Sequence, residues 1–161
     1  MLNSTFWVIV LAIGAVIVAI ANIQYNRVRE VESKREMATQ ALSILKPELE
    51  RNQKTLISIR DIIPKNQIPL EAFETAAWQT VSKGELLLGL DDELLPNLMQ
   101  AYNLINRANG MHSRILEMSI GVTSALSGNE ANKVLLKNNL LAVLGELEPL
   151  LQKVTTHTNR S

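Results

Sequence analysis

The run FWVIVLAIGAVIVAIA, residues 6–21, is apolar throughout, and no charged side chain precedes Arg27. An α-helix rises about 1.5 Å per residue, so roughly 20 residues cross the hydrocarbon core of a bilayer. The stretch from Thr5 to Tyr25 meets that length and places Trp7 and Tyr25 where amphipathic rings settle at the two interfaces. A cleaved signal peptide is the rival reading, because Ala19-Ile20-Ala21 offers a small-x-small cleavage site. Signal peptides open with a positively charged segment, however, and nothing before Phe6 carries side-chain charge. The sequence therefore predicts a membrane span.

The flanks predict its orientation. Arg27, Arg29, Lys34 and Arg35 follow the span closely and no basic side chain precedes it. The positive-inside tendency counts basic residues, so the interspersed Glu30, Glu32 and Glu36 weaken it little. The expectation is a single-pass cell-membrane protein with a short external N-terminus and a cytoplasmic C-terminal domain. Within the span, Ala12, Ala15, Ala19 and Asn22 share one face, which suits close helix approach and an interhelical hydrogen bond.

After the span the hydrophobic rhythm changes. Val28, Val31, Ala38, Leu42, Leu45, Leu49, Leu56, Ile59 and Ile63 recur at spacings of three and four, interrupted by Arg35 and Asn52. This is one face of a helix, narrow enough for coiled-coil-like packing. Pro47 lies within it and either kinks the helix or opens a new one at KPELE. IPKNQIP, 63–69, reads as a loop bracketed by Pro64 and Pro69, followed by a short helix over roughly 70–83 that Gly84 ends. Asp91 or Asp92 can cap the next helix, predicted over about 92–126, with Leu95, Leu98, Tyr102, Ile105, Ala108, Ile115, Met118 and Val122 on one side. SGNE forms a capping box, Ser127 with Glu130. The last helix, about 129–155, carries Leu136, Leu140, Val143, Leu147, Leu150 and Val154, with Pro149 inside it above Gly145. No run alternates with period two.

The fold expected is all-α, an N-terminal transmembrane helix followed by an antiparallel three- to four-helix bundle. The anchor is placed at 1–26, a charged juxtamembrane segment at 27–36, the bundle at 37–155 and a flexible polar tail at 156–161.

Charge and chemistry narrow the function classes. With 16 basic and 16 acidic residues the chain lacks the basic excess that nucleic acid requires, so no nucleic-acid partner is expected. There is no cysteine, which excludes disulfides, thiolate metal sites and cysteine nucleophiles. His112 and His157 stand outside any metal-binding helix motif, and no nucleophile-elbow or phosphate-loop pattern occurs. Asp91, Asp92 and Glu93 are explained by helix capping without a metal. No catalytic residue, cofactor or metal is therefore assigned, and the chain is not expected to be an enzyme.

Asn52 is the anomaly, an amide where the helix faces its core. Phe73 and Trp78 are read as pinning the short helix onto the long ones, with the Trp78 indole N–H and the Tyr102 hydroxyl finding polar partners. A sharper alternative is a ligand slot lined by Trp78, Tyr102 and Asn52.

The segment from about 48 to 109 resembles a loosely defined group of uncharacterised prokaryotic single-pass membrane-anchored helical proteins. The resemblance rests on Asn52, Thr75, Ala77, Trp78, Gly84, Leu90, Leu94, Tyr102 and Asn109. It implies the helical fold and brings no activity. It also implies that Asn52 and Asn109 lie on neighbouring helices with Trp78 and Tyr102 between or beside them. These four residues form the candidate polar core, structural or ligand-contacting, with Asn52 fixing helix register. The expected function is a membrane-anchored interaction module: a scaffold, adaptor or regulatory subunit with a protein partner or a second copy. A small-molecule sensor binding its ligand within the bundle is the alternative.

Overall fold

A computed structural model describes residues 4–65, 67–119 and 130–158. All its regular structure is helical: α1 (Ser4–Ile62), α2 (Ala76–Ser82), α3 (Leu94–Ser119) and α4 (Glu130–Thr158). Two 3-10 turns, Ile63–Lys65 and Glu85–Gly89, lie between them, and no strand occurs among the described residues. The capping box at Ser127 and the position of Val122 fall outside those residues.

α1 is a single helix of 59 residues, about 88 Å long at the standard rise. It is long and apolar enough at its N-terminal end to cross a membrane. Leu11 is 71% and Val18 60% exposed there. Of the two readings of Pro47, the structure takes the continuous one, since the helix runs through it. Proline at 47 deprives the Ser43 carbonyl of its usual N–H partner, and both residues are exposed, where water can serve it.

The stripe on α1 is buried only from Ala41 onward, through Leu45, Leu49, Leu56, Ile59 and Ile63. Val28 and Val31, nearer the N-terminus, remain exposed. Leu98, Tyr102, Ile105, Ala108 and Ile115 of α3 meet Leu140, Val143, Leu144, Leu147, Leu151 and Val154 of α4 in the same core. The most extensive packing joins α3 to α4, and α1 to the Glu85–Gly89 turn and to α4. Gly89 makes that turn's approach feasible. A Cβ there would lie 2.6 Å from the Lys34 carbonyl oxygen and 2.7 Å from Met37 Cβ, and closer still to the Ala38 nitrogen.

Two expectations are corrected. The short helix does not begin near residue 70. Residues 67–75 are non-helical and α2 starts at Ala76, because long-range side chains take the backbone groups that a helix would use internally. Nor does the last helix end at about residue 155. α4 continues to Thr158, with Thr155 and Thr158 buried and His157 Nε2 3.2 Å from Asp91 Oδ2. Asp91, of the two candidates, caps α3: its Oδ1 accepts the N–H groups of Glu93 (3.0 Å) and Leu94 (2.6 Å).

Candidate functional site: a backbone clamp between α1 and α3

The connector 67–75 passes between α1 and α3 and is held by its main chain. Asn52, fully buried on α1, donates from Nδ2 to the Glu74 carbonyl (2.9 Å) and accepts the Glu74 N–H at Oδ1 (2.8 Å). Asn109 on α3 treats Phe73 in the same way, with both bonds at 2.9 Å. A residue presents its N–H and C=O to the same side when the chain is extended, and its neighbour presents them to the opposite side. Asn52 and Asn109 therefore grip successive residues from the two flanking helices. Each amide supplies one donor and one acceptor, which is what an edge strand would supply.

Two further side chains extend the clamp. His112, buried and one turn beyond Asn109, bonds the Pro69 carbonyl through Nε2. A carbonyl only accepts, so Nε2 carries the proton and the ring acts as a donor. At the other end stands Glu48, one turn before Asn52 and 1% exposed. Its Oε2 accepts the Ala77 N–H (2.7 Å), and its Oε1 accepts the Trp78 N–H (3.2 Å) and the Tyr102 hydroxyl (2.7 Å). Thr75 precedes α2 but makes no side-chain cap bond. Glu48 replaces it, capping α2 across space with a negative charge where the first-turn N–H groups converge.

Tyr102 links this carboxylate to an aromatic pair. Its ring stacks on Trp78 at a centroid distance of 4.7 Å with the planes within 7°. Burial, then the hydrogen bond and negative charge of Glu48, push the Tyr102 hydroxyl well above the ordinary phenol range, so it stays protonated and keeps donating. Phe73 is buried alongside the hydrophobic core. On the exposed side, Arg51 makes a charge-assisted contact with the Glu74 carboxylate (2.8 Å).

Comparison with protein-family models, curated proteins and solved structures finds no match to this chain. The site must be read from its own geometry.

The structure brings together the four residues singled out in the sequence, Asn52, Trp78, Tyr102 and Asn109, and adds Glu48 and His112. The sequence reading missed Glu48 as a site residue. Its available signal was position: it lies four residues before Asn52, hence on the same helix face. His112 similarly lies three after Asn109. The polar atoms of these residues that face the connector are spent on the protein's own backbone and on one another. Four surface cavities formed by described residues are lined by side chains other than Asn52, Trp78, Tyr102 and Asn109. No grouping of three or more potential metal ligands occurs among the described residues.

Proposed function

We propose that this protein is a single-pass membrane-anchored interaction module, in which an antiparallel helical bundle is held at the cytoplasmic face of the bilayer. In that role it is a scaffold, adaptor or regulatory subunit that works by position and contact. The observation that carries the reading is the continuity of α1. One helix is both the apolar segment suited to a membrane and, from Ala41, a wall of the folded core. No hinge separates anchor from domain, so the domain's height and rotation above the bilayer follow from the anchor. The basic residues after Tyr25 support the cytoplasmic side.

The clamp supports a non-catalytic reading. Its buried carboxylate, amides and imidazole bond to Ala77, Trp78, Phe73, Glu74 and Pro69 of the same chain, which leaves them fixing a shape. Within the span, Asn22 and the alanines that share its face are exposed in the single chain. An amide in hydrocarbon gains from a partner, which favours a second helix there, from another copy or another protein.

Topology is tested with impermeant maleimide on single-cysteine variants, which the cysteine-free sequence allows. A cysteine at the exposed position 113 in sealed, right-side-out vesicles should react only after permeabilisation. Labelling from outside would overturn the cytoplasmic assignment. Crosslinking in native membranes, followed by purification, should recover a partner or second copy in fixed stoichiometry. Recovery of the uncrosslinked monomer alone, at all densities, would overturn the interaction role.

A further inference from the structure

A cavity of about 550 Å³ lies between α1, the beginning of α3 and the end of α4, away from the clamp. We propose that it binds an elongated amphipathic monocarboxylate of the medium-chain acyl class. Arg35 and Lys46 border it from α1. Eleven positions apart, they fall on one helix face, separated by about 16 Å along the axis. Neither makes an ion pair among the described residues, whereas Lys34, Arg51, Arg60 and Lys153 each do.

Between the two cations lie Ala38 and Leu42 on α1 with Leu90 and Leu94 opposite, and also Thr39 and Ser43, whose hydroxyls donate to the Arg35 and Gln40 carbonyls of α1 itself. An apolar lining with a few polar groups that fix orientation is the usual character of a small-molecule site. An acyl chain of about ten carbons, with bonds near 1.5 Å, fills most of the distance between the cations. Its carboxylate then meets one guanidinium or ammonium group. Asp91 is the one carboxylate in the lining. One of its oxygens accepts from the first turn of α3 and the other faces His157, so its charge is already engaged. The site as a whole favours an anion.

With Thr5–Tyr25 in a bilayer, as in the functional reading above, Arg35 stands about 15 Å beyond Tyr25 and Lys46 farther still. The ligand is therefore a free carboxylate arriving from water, and not the headgroup of a lipid that remains in the bilayer. Bound there, it bridges α1 to the chain segments that Gly89 and His157 bring against it, and so couples occupancy to the helix that enters the membrane.

The test uses the full-length protein in phospholipid nanodiscs with a decanoate carrying a terminal diazirine. Crosslinked residues are mapped by mass spectrometry. Labels are expected in the 38–46 and 89–94 peptides, displaced by unlabelled decanoate but not by decanol or decyltrimethylammonium. The variant Arg35→Gln/Lys46→Gln should weaken this displacement about ten-fold or more, as loss of charged hydrogen-bond donors does, with unchanged helicity and thermal unfolding. Labels confined to the span, equal displacement by decanol, or unaltered affinity in the double variant would overturn the proposal. If the double variant misfolds, Leu42→Trp, which fills the apolar middle, decides instead: retained displacement by decanoate overturns the site, and its loss supports it. None of these readouts depends on which side of the membrane the domain faces or on a protein partner, so failure here is distinct from failure of the anchoring reading.

Discussion

Asn52 and Asn109 hold consecutive residues of one connector from opposite helices, the first taking both main-chain groups of Glu74 and the second both of Phe73. The connector is thereby treated as the middle strand of a sheet whose neighbours are two side chains. Because both amides act on one segment, releasing either loosens what the other holds. Asn52→Leu should cost about 1–3 kcal/mol by leaving the Glu74 N–H and C=O without protein partners. Asn109→Leu should fall toward the upper end of that range, because Phe73 is buried and Glu74 is exposed. The double variant should cost less than the sum by about 0.5 kcal/mol or more, the signature of groups acting as a unit. Denaturant unfolding of the full chain gives the energies, and amide exchange at residues 73 and 74 locates the loss. Strict additivity with unchanged exchange would refute the shared clamp.

Glu48 is the group on which the two halves of the site converge, since its two oxygens face only donors. Glu48→Gln keeps the shape but exchanges one acceptor oxygen for an amide nitrogen, which then confronts an N–H or O–H. The expected loss is about 2–3 kcal/mol, because charge-assisted bonds are replaced by an unsatisfied buried donor. Tyr102→Phe removes a single bond from the same carboxylate and should cost about 1 kcal/mol, with the ring stack retained. Near-ultraviolet circular dichroism reports Trp78 directly. Equal losses in the two variants would show that the α2 N–H groups do not depend on the carboxylate.

These two features also show what the sequence could convey. A helical chain with an apolar N-terminal segment, the heptad-like stripes and the cap at Asp91 could be read locally, since each depends on spacing along one element. Asn52 and Asn109 could be flagged because an amide interrupts or borders an apolar stripe. Their partners could not be read, because Phe73 and Glu74 lie in a segment, EAFETAAW, whose composition favours helix and whose backbone before Ala76 is held out of the helix from two other elements. Glu48 was hidden for a related reason. A glutamate on a helix is ordinarily solvated, and only the distant N–H groups of α2 and the Tyr102 hydroxyl make its burial tolerable. The TTHT segment misled in the opposite sense. Its residues are indifferent helix formers, yet burial of Thr155 and Thr158 and the His157–Asp91 contact carry α4 through it.

Tyr102 gives the fold an alkaline limit. Its hydroxyl is held well above the ordinary value by burial first and by Glu48 second, so the folded state keeps a proton that the unfolded state releases near the usual phenol pKa of about 10. The unfolded state then binds fewer protons, and stability declines as pH rises through that value. Below it, the contribution is fully present. Full-length protein should therefore lose stability above about pH 10 with a slope that Tyr102→Phe reduces by roughly one proton. Chemical unfolding across alkaline pH, with phenolate absorbance as a parallel readout, checks this. The same slope in both proteins would show that Tyr102 titrates alike in the two states.

Gly89 sets how closely the 3-10 turn can lie on α1, because the space a side chain would need is occupied by the backbone at Lys34 and Ala38 and by Met37 Cβ. Backbone cannot step aside as a flexible side-chain tip can. Gly89→Ala must therefore lift the turn away from α1, at a cost of about 1–3 kcal/mol as in other overpacked sites. The displacement should be local. Leu90 and Asp91 follow directly, so amide exchange should rise over 85–91 and at the first turn of α3 while the clamp at residues 73 and 74 stays protected. Gly84→Ala is the matched control: a Cβ there meets nothing closer than 3.9 Å, and its effect should be within about 0.5 kcal/mol, as for exposed substitutions. If the two alanine variants unfold together, close approach at Gly89 is not what seats the turn against α1.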